Sequence, residues 1–125
     1  MNGLMKRGFT LIELLVVLAI IATLLTLAVP RYFQHVERTK EAVLKENLAT
    51  VRDALDKYHA DTNTWPATLD VLAERRYVRA VPVDPITERP DTWLIVPPPD
   101  GGGGVYDLRS GAEGTGFDGV PYADW

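Results

Sequence analysis

The chain has 125 residues, with 13 Lys and Arg against 17 Asp and Glu, two His and no Cys. The missing cysteines exclude a disulfide framework, a thiolate nucleophile and a cysteine-based zinc site. The net charge of −4 argues against a general nucleic-acid-binding protein, because such proteins carry a basic surplus. Serine catalysis has little support either, since Ser110 is the only serine.

Residues 9–29 form an apolar segment in which Glu13 is the only charged side chain. As a helix this segment would be about 32 Å long, close to the hydrocarbon thickness of a bilayer. A secretory signal peptide has a shorter apolar run of about 7–15 residues that ends in a small-x-small cleavage site. The run here is longer and contains no Ala-x-Ala, so the sequence favours a helix that stays in the membrane.

The charges that flank the apolar segment do not decide its orientation. Lys6 and Arg7 precede the segment. Four basic residues follow it within the window that the positive-inside rule counts, namely Arg31, Arg38, Lys40 and Lys45. Basic residues on both sides leave both orientations open.

Glu13 stands out because a carboxylate within an apolar membrane segment costs about 2.5–3.5 kcal/mol. One interpretation is a functional carboxylate that has a cationic partner. The other is a side chain near the membrane surface that reaches the water. The composition of the segment leaves both interpretations open.

The residues around Glu13 read Lys6-Arg7-Gly8-Phe9-Thr10-Leu11-Ile12-Glu13, followed by a long apolar run. This pattern resembles the type III signal of type IV pilins and pseudopilins, almost letter for letter from Gly8 to Glu13. The resemblance implies that a prepilin peptidase cleaves after Gly8 on the cytoplasmic face and N-methylates the new amine of Phe9. It also implies a single-pass protein of the bacterial inner membrane, with a cytoplasmic N-terminus and a periplasmic C-terminal domain.

The resemblance divides the chain into three parts. Residues 1–8 would be the leader peptide, residues 9–30 the transmembrane and filament-core helix, and residues 31–125 the pilin-like domain, which includes the second half of the long helix. Cleavage would also give Glu13 a partner, because the freed amine of Phe9 lies four residues before it. Glu13 could pair with its own Phe9 or with the Phe9 of a neighbouring subunit, and the second pairing would set the register of a filament.

Pro30 ends the apolar run and is followed at once by a second helical pattern. Proline removes a backbone hydrogen bond and clashes with the preceding turn, so Pro30 either stops the helix at the membrane edge or kinks it. The absence of Gly and Pro from Arg31 to about Ala60 favours a kink within one long helix. A narrow apolar seam with helical spacing predicts the face on which a small domain packs, at Leu44, Leu48, Val51, Leu55 and Tyr58.

The rest of the chain predicts short elements joined by ordered loops. Turn residues at positions 61–64 end the helix, and a short helix is predicted over about Ala67–Arg76. Residues 93–96 and 105–109 predict two antiparallel strands, separated by a turn of proline and glycine. The expected fold class is therefore α+β, with a long N-terminal helix packed on a short helix and a small antiparallel sheet, as in pilins.

The later motifs narrow the resemblance to the major pseudopilin of type II secretion, the G-type subunit. They are Tyr58-x-x-Asp61-x-x-x-Trp65-Pro66, then Tyr77-x-x-x-Val81-Pro82-x-Asp84-Pro85, then Tyr106-Asp107-x-x-Ser110-Gly111. The C-terminal loop of that family often binds calcium, for which this chain offers Ser110, Glu113 and Asp118. The alternative is a glycine-rich loop held by the packing of Tyr122 and Trp125, and the small number of carboxylates favours it.

The function predicted from the resemblance is a structural subunit, not an enzyme. It would polymerise with itself and with other pseudopilins into a short periplasmic pseudopilus that helps drive protein export across the outer membrane. Its other partners would be the prepilin peptidase, the inner-membrane assembly platform and the membrane, with no nucleic acid. A type IV pilin, a minor pilin or pseudopilin, and a membrane-anchored binding module remain alternatives.

Overall fold

A computed structural model of the chain describes residues 8–125. Most of the predicted leader, including Lys6 and Arg7, lies outside the described residues. The elements in chain order are helix α1 (Leu11–Thr62), helix α2 (Leu69–Glu74), strand β1 (Leu94–Val96), strand β2 (Asp107–Arg109) and a 3₁₀ turn over Tyr122–Asp124. The chain divides between Glu37 and Arg38 into two compact units, which we call the first unit and the second unit.

The predicted long helix is confirmed as α1, which contains 52 residues and passes through Pro30 without a break in its helical assignment. Pro30 has no N–H to donate to the carbonyl of Thr26, so one backbone hydrogen bond is missing at this point. The predicted kink at this position stays a prediction. The helix ends two residues later than expected, where Asn63 takes a left-handed φ of 57° and its N–H still reaches the carbonyl of His59.

The apolar seam on the second half of α1 is also confirmed, because all five of its predicted members are buried. They pack with side chains from α2, from the strands and from the C-terminal loop, among them Leu72, Trp93, Val105, Leu108 and Tyr122. This single cluster is the core of the second unit. The 3.6-residue period of a helix brings positions four and three apart onto one face, which is why a sequence pattern predicted it correctly.

Helix α2 is shorter than the predicted range at both ends. Its C-terminal end is closed by two backbone hydrogen bonds, from Arg76 to the carbonyl of Ala73 and from Tyr77 to the carbonyl of Leu72. These bonds form a Schellman motif around Arg76, which has a left-handed φ of 63° where glycine is most common. The residue that marks such a helix end is usually a glycine. Because this chain has an arginine there, the predicted helix was too long.

The two strands pair antiparallel, with Leu94 opposite Arg109 and Val96 opposite Asp107. Each strand is shorter than predicted, and the expected first residue of each is bonded to a loop instead. The indole of Trp93 donates to the carbonyl of Pro82 at 2.9 Å, and the N–H of Val105 donates to the carbonyl of Pro66 at 2.8 Å. These bonds fasten both residues to loops before the ladder begins.

The seam gives a direct test of the core. Leu48 is 2% exposed, so replacing it with alanine leaves a cavity in the core and should lower the free energy of unfolding by about 2–5 kcal/mol. Val43→Ala on an exposed position of the same helix is the matched control and should change it by about 0.5 kcal/mol or less. Urea unfolding of the full chain in detergent measures both, and equal losses would contradict the assigned core.

Candidate processing and assembly site

Gly8 and Phe9 precede the first residue of α1 and are exposed. Phe9 keeps 83% of its surface accessible. A Cβ atom added to Gly8 would meet no other atom within 4 Å. The chain's own packing therefore does not require a glycine at this position, whereas the close approach of another molecule to the backbone would.

Thr10 and Glu13 form a reciprocal cap at the start of α1. The N–H of Glu13 donates to the hydroxyl oxygen of Thr10 at 3.1 Å, and the N–H of Thr10 donates to the carboxylate of Glu13 at 3.4 Å. This arrangement is a capping box, in which two backbone groups that the helix cannot satisfy find side-chain partners. The helix end therefore supplies a partner for the carboxylate of Glu13, since a negative charge is stabilised in the first turn of a helix.

The sequence analysis missed this role, although Thr10-Leu11-Ile12-Glu13 carries the Thr-x-x-Glu signature of a capping box. It paired Glu13 with Phe9 instead, on the assumption that both lie on one helical face. Because α1 begins at Leu11, Phe9 lies outside the helix in the uncleaved chain. Pairing of Glu13 with the cleaved amine stays a prediction.

The apolar side chains of α1 between Leu11 and Val29 are exposed on all sides within the chain. Among the described residues, α1 is the one helix long and apolar enough to cross a membrane. The hydroxyls of Thr23 and Thr26 donate to the carbonyls of Ala19 and Ala22, at 2.8 and 2.7 Å. These polar groups are satisfied inside the helix, as an apolar environment requires.

In the second unit, Glu41 of α1 binds the C-terminal loop. Its carboxylate accepts hydrogen bonds from the hydroxyl of Tyr122 at 2.8 Å and from the N–H of Phe117 at 3.0 Å. Glu41 is only 9% exposed, so these donors offset the cost of burying it. The sequence analysis missed Glu41, because a glutamate in a polar stretch of helix gives no sign that it is buried.

Three basic side chains on the same helix hold the loop beside Glu41. Arg38 lies over the ring of Phe117 at 5.1 Å, and Lys45 lies over the ring of Trp125 at 4.8 Å. Arg52 donates to the carboxylate of Asp107 at 2.9 Å and to the carbonyl of Trp125 at 2.6 Å. We call these three residues and Glu41 the polar stripe of α1.

The predicted calcium residues are placed as follows. The hydroxyl of Ser110 is buried. It donates a hydrogen bond to the carboxylate of Asp84 and accepts one from the N–H of Ala112 at 3.1 Å, so it is used both as a donor and as an acceptor. Glu113 and Asp118 are exposed, and one oxygen of Asp118 accepts the N–H of Val120. Over residues 8–125 no group of three or more His, Asp or Glu side chains is placed to hold a metal ion. Calcium binding by Glu113, Asp118 and the carbonyls around Ser110 stays a prediction.

The pKa shifts in the described chain belong to surface pairs. The hydroxyl of Tyr77 donates to Asp61 at 2.7 Å, and this hydrogen bond raises the pKa of Tyr77. The guanidinium of Arg89 binds Asp91 through two hydrogen bonds and lowers the pKa of that carboxyl. Neither pair includes Gly8, Phe9 or Glu13, the residues of the candidate processing and assembly site.

Comparisons with known proteins match both the N-terminal segment and most of the chain. Residues 4–29 match the family described as the prokaryotic N-terminal methylation motif. The type II secretion system core protein G of Klebsiella michiganensis is 31% identical over 126 residues, which cover 95% of this chain and 89% of the relative. The protein of the same description from Pseudomonas aeruginosa is 32% identical over 126 residues, which cover 87% and 85%. Fimbrial protein EcpC of Eikenella corrodens is 37% identical over 62 residues, half of this chain and 40% of the relative. No solved structure matches the chain.

The contacts of Glu41 predict its contribution to stability. Glu41→Ala leaves the hydroxyl of Tyr122 and the N–H of Phe117 without their acceptor, and should lower the free energy of unfolding by about 1–3 kcal/mol. Glu46→Ala removes the same charge from an exposed position of the same helix, and should change it by about 0.5 kcal/mol or less. Urea unfolding with tryptophan fluorescence measures both variants. A loss for Glu46→Ala as large as for Glu41→Ala would contradict the assigned role.

Proposed function

The chain belongs to the type II secretion system core protein G family and is a pseudopilin, and we propose that it polymerises into a short periplasmic pseudopilus. The subunit is held in the inner membrane by the apolar part of α1, with the leader on the cytoplasmic side. A prepilin peptidase removes residues 1–8 and methylates the amine of Phe9. The assembled filament, made of this chain and other pseudopilins on an inner-membrane platform, helps drive folded proteins across the outer membrane.

The observation that carries this proposal is the start of α1. Gly8 and Phe9 lie in an exposed stretch outside the helix that another protein can reach, and the apolar helix follows immediately. The matched methylation motif covers this stretch and the whole apolar run. The cap explains Glu13 locally, but a protein that used α1 only as a membrane tether would not need Gly8 and Phe9 directly before the capped turn.

The exposed apolar surface of α1 supports polymerisation. The side chains of residues 11–29 must be covered, by lipid before assembly and by neighbouring copies of the helix in a filament. Glu13 limits how the copies fit, because a carboxylate among apolar side chains is stable only beside a cation or a donor. The amine of Phe9 in the next subunit is the partner we propose.

A type IV pilin is the second candidate, and the match to fimbrial protein EcpC is the observation that favours it. That match covers half of this chain, whereas the matches to core protein G cover 84–95% in the proteins of Escherichia coli, Pseudomonas aeruginosa and Klebsiella michiganensis. The longer matches include most of the globular unit, which a match of 62 residues cannot span. We therefore propose the secretion role over the fimbrial one, and a structural role over an enzymatic one.

The processing proposal predicts the effect of a substitution at Gly8. Gly8→Leu should leave full-length precursor in the membrane when an active prepilin peptidase is present, because the larger side chain blocks the approach of the peptidase to the backbone. The fold should not change, since no atom of the chain lies within 4 Å of the added Cβ. Intact-mass and N-terminal analysis of protein extracted from the membrane measures processing. A mature chain that begins at Phe9 in this variant would contradict the assigned cleavage site.

The same measurement on the unaltered chain tests the proposed function as a whole. The expected result is a mature N-terminus at methylated Phe9. Retention of Met1 beside an active prepilin peptidase would instead make the chain a membrane-anchored binding module.

Two substitutions at Glu13 separate its charge from its capping role. Glu13→Gln keeps a side-chain oxygen for the N–H of Thr10, whereas Glu13→Val removes both the charge and the cap. We expect both variants to insert and to be cleaved, and both to yield at least tenfold fewer filaments because the register-setting charge is gone. Filament yield is measured by shearing and immunoblotting. Normal assembly of Glu13→Gln would show that the cap, and not the charge, is what assembly needs.

A further inference from the structure

Six side chains line a groove along one face of α1 within the first unit: Leu24, Leu27, Ala28, Arg31, Tyr32 and His35. Their spacing of three and four residues places them in one row along the helix. The lower half of the row is apolar, and the upper half is basic and aromatic. The change occurs within one helical turn, across Pro30.

The groove is open in the chain. The side chains of Leu24, Leu27 and Tyr32 are each at least 60% exposed. The ring of Phe33 lies edge-on to that of Tyr32, with 5.9 Å between their centres, and is exposed as well. A basic residue followed by two aromatic rings at the end of an apolar helix is typical of the boundary between hydrocarbon and headgroups.

The length of the apolar helix places the groove at this boundary. Leu11, its first residue, lies 20 residues before Arg31, which corresponds to about 30 Å of helix and to the thickness of the hydrocarbon layer. When the helix spans the membrane, the guanidinium of Arg31 is therefore at the level of the lipid phosphates. Leu24, Leu27 and Ala28 then lie below it, beside the acyl chains.

We propose that this groove binds one anionic phospholipid of the leaflet next to the C-terminal end of the apolar segment. The phosphate binds the guanidinium of Arg31, and the hydroxyl of Tyr32 donates a second hydrogen bond. One acyl chain lies along Leu24, Leu27 and Ala28. The inference rests on the membrane anchoring proposed above, but not on processing or polymerisation.

The composition of the groove favours a lipid over a second copy of the chain. None of its six residues is acidic, so two copies that packed through the same groove would bring Arg31 against Arg31. Such a like-charge contact is unfavourable. A phospholipid matches both halves of the groove, since its phosphate is anionic and its tail is apolar.

A lipid bound here would also act on assembly. The subunit must lose this lipid when it leaves the membrane for a filament, and the contact would hold α1 at one depth until then. Glu13 lies 18 residues before Arg31, about 27 Å along the helix, so the same depth keeps its carboxylate near the opposite membrane surface. The lipid contact thus sets the depth of Glu13 in the membrane before the subunit enters a filament.

The experiment uses the full chain in detergent, with phosphatidylglycerol or phosphatidylcholine added, and native mass spectrometry to count retained lipids. We expect the unaltered chain to retain one phosphatidylglycerol in preference to phosphatidylcholine. Arg31→Gln should weaken that preference about fivefold, the effect of one basic residue near an anionic membrane surface. Arg79→Gln removes the same charge from an exposed position in the globular unit, and should leave the preference unchanged. Equal retention of the two lipids, or equal effects of the two substitutions, would overturn the proposal.

Cross-linking in vesicles tests the competing occupant. The chain has no cysteine, so single cysteines can be introduced at Leu27 in the groove and at Val29 on the opposite face of the helix. We expect Leu27→Cys to form no more disulfide dimer than Val29→Cys in phosphatidylglycerol vesicles. Dimer formation confined to Leu27→Cys would show that a second copy covers the groove, and would overturn the lipid assignment.

The two proposals fail in different ways. Release of the unaltered chain from vesicles by alkaline carbonate would contradict the membrane anchoring on which both depend. A chain that stays inserted but shows no lipid preference would contradict the groove alone, and leaves the filament function intact.

Discussion

The first half of α1 depends on one constraint, which is that its apolar side chains between Leu11 and Val29 are all exposed to their surroundings. A helix with apolar side chains on every face is unstable in water, so it must be covered by lipid or by other helices. In lipid its polar groups must be satisfied from within, because acyl chains offer neither donors nor acceptors. The hydroxyls of Thr23 and Thr26 bind carbonyls of their own helix, and Thr10 and Glu13 cap its first turn.

The cap changes the physical account of Glu13. A carboxylate in an apolar segment invites an explanation by an ion pair alone, and the cleaved amine of Phe9 is the obvious cation. The capping box shows that Glu13 already has a partner in the N–H of Thr10 before cleavage. After cleavage, the amine of Phe9 would therefore compete with the N–H of Thr10 for the carboxylate of Glu13.

The second half of the same helix serves a different purpose, with two parallel rows of residues. The apolar seam is the center of the core, and the polar stripe holds the C-terminal loop through Arg38, Glu41, Lys45 and Arg52. The loop contains several glycines and little regular structure, so these side-chain contacts supply the order that a strand or helix would otherwise provide. A buried bond between Ser110 and Asp84 fastens the start of the loop to the segment before β1.

The sequence by itself determined the parts of this protein that depend on local patterns. The signal from Gly8 to Glu13, the apolar length and the seam from Leu44 to Tyr58 are all periodic or contiguous, so one chain was enough to predict the long helix, its buried face and the family.

Only the tertiary structure decided the residues whose partners are distant along the chain. Glu41 meets Phe117 and Tyr122 across 76 and 81 positions, and Ser110 meets Asp84 across 26. The start of β2 was set in the same way, because the N–H of Val105 donates to the carbonyl of Pro66 instead of to β1. Periodicity reports which face of an element is buried, but it carries no information about which distant group will meet a polar side chain there.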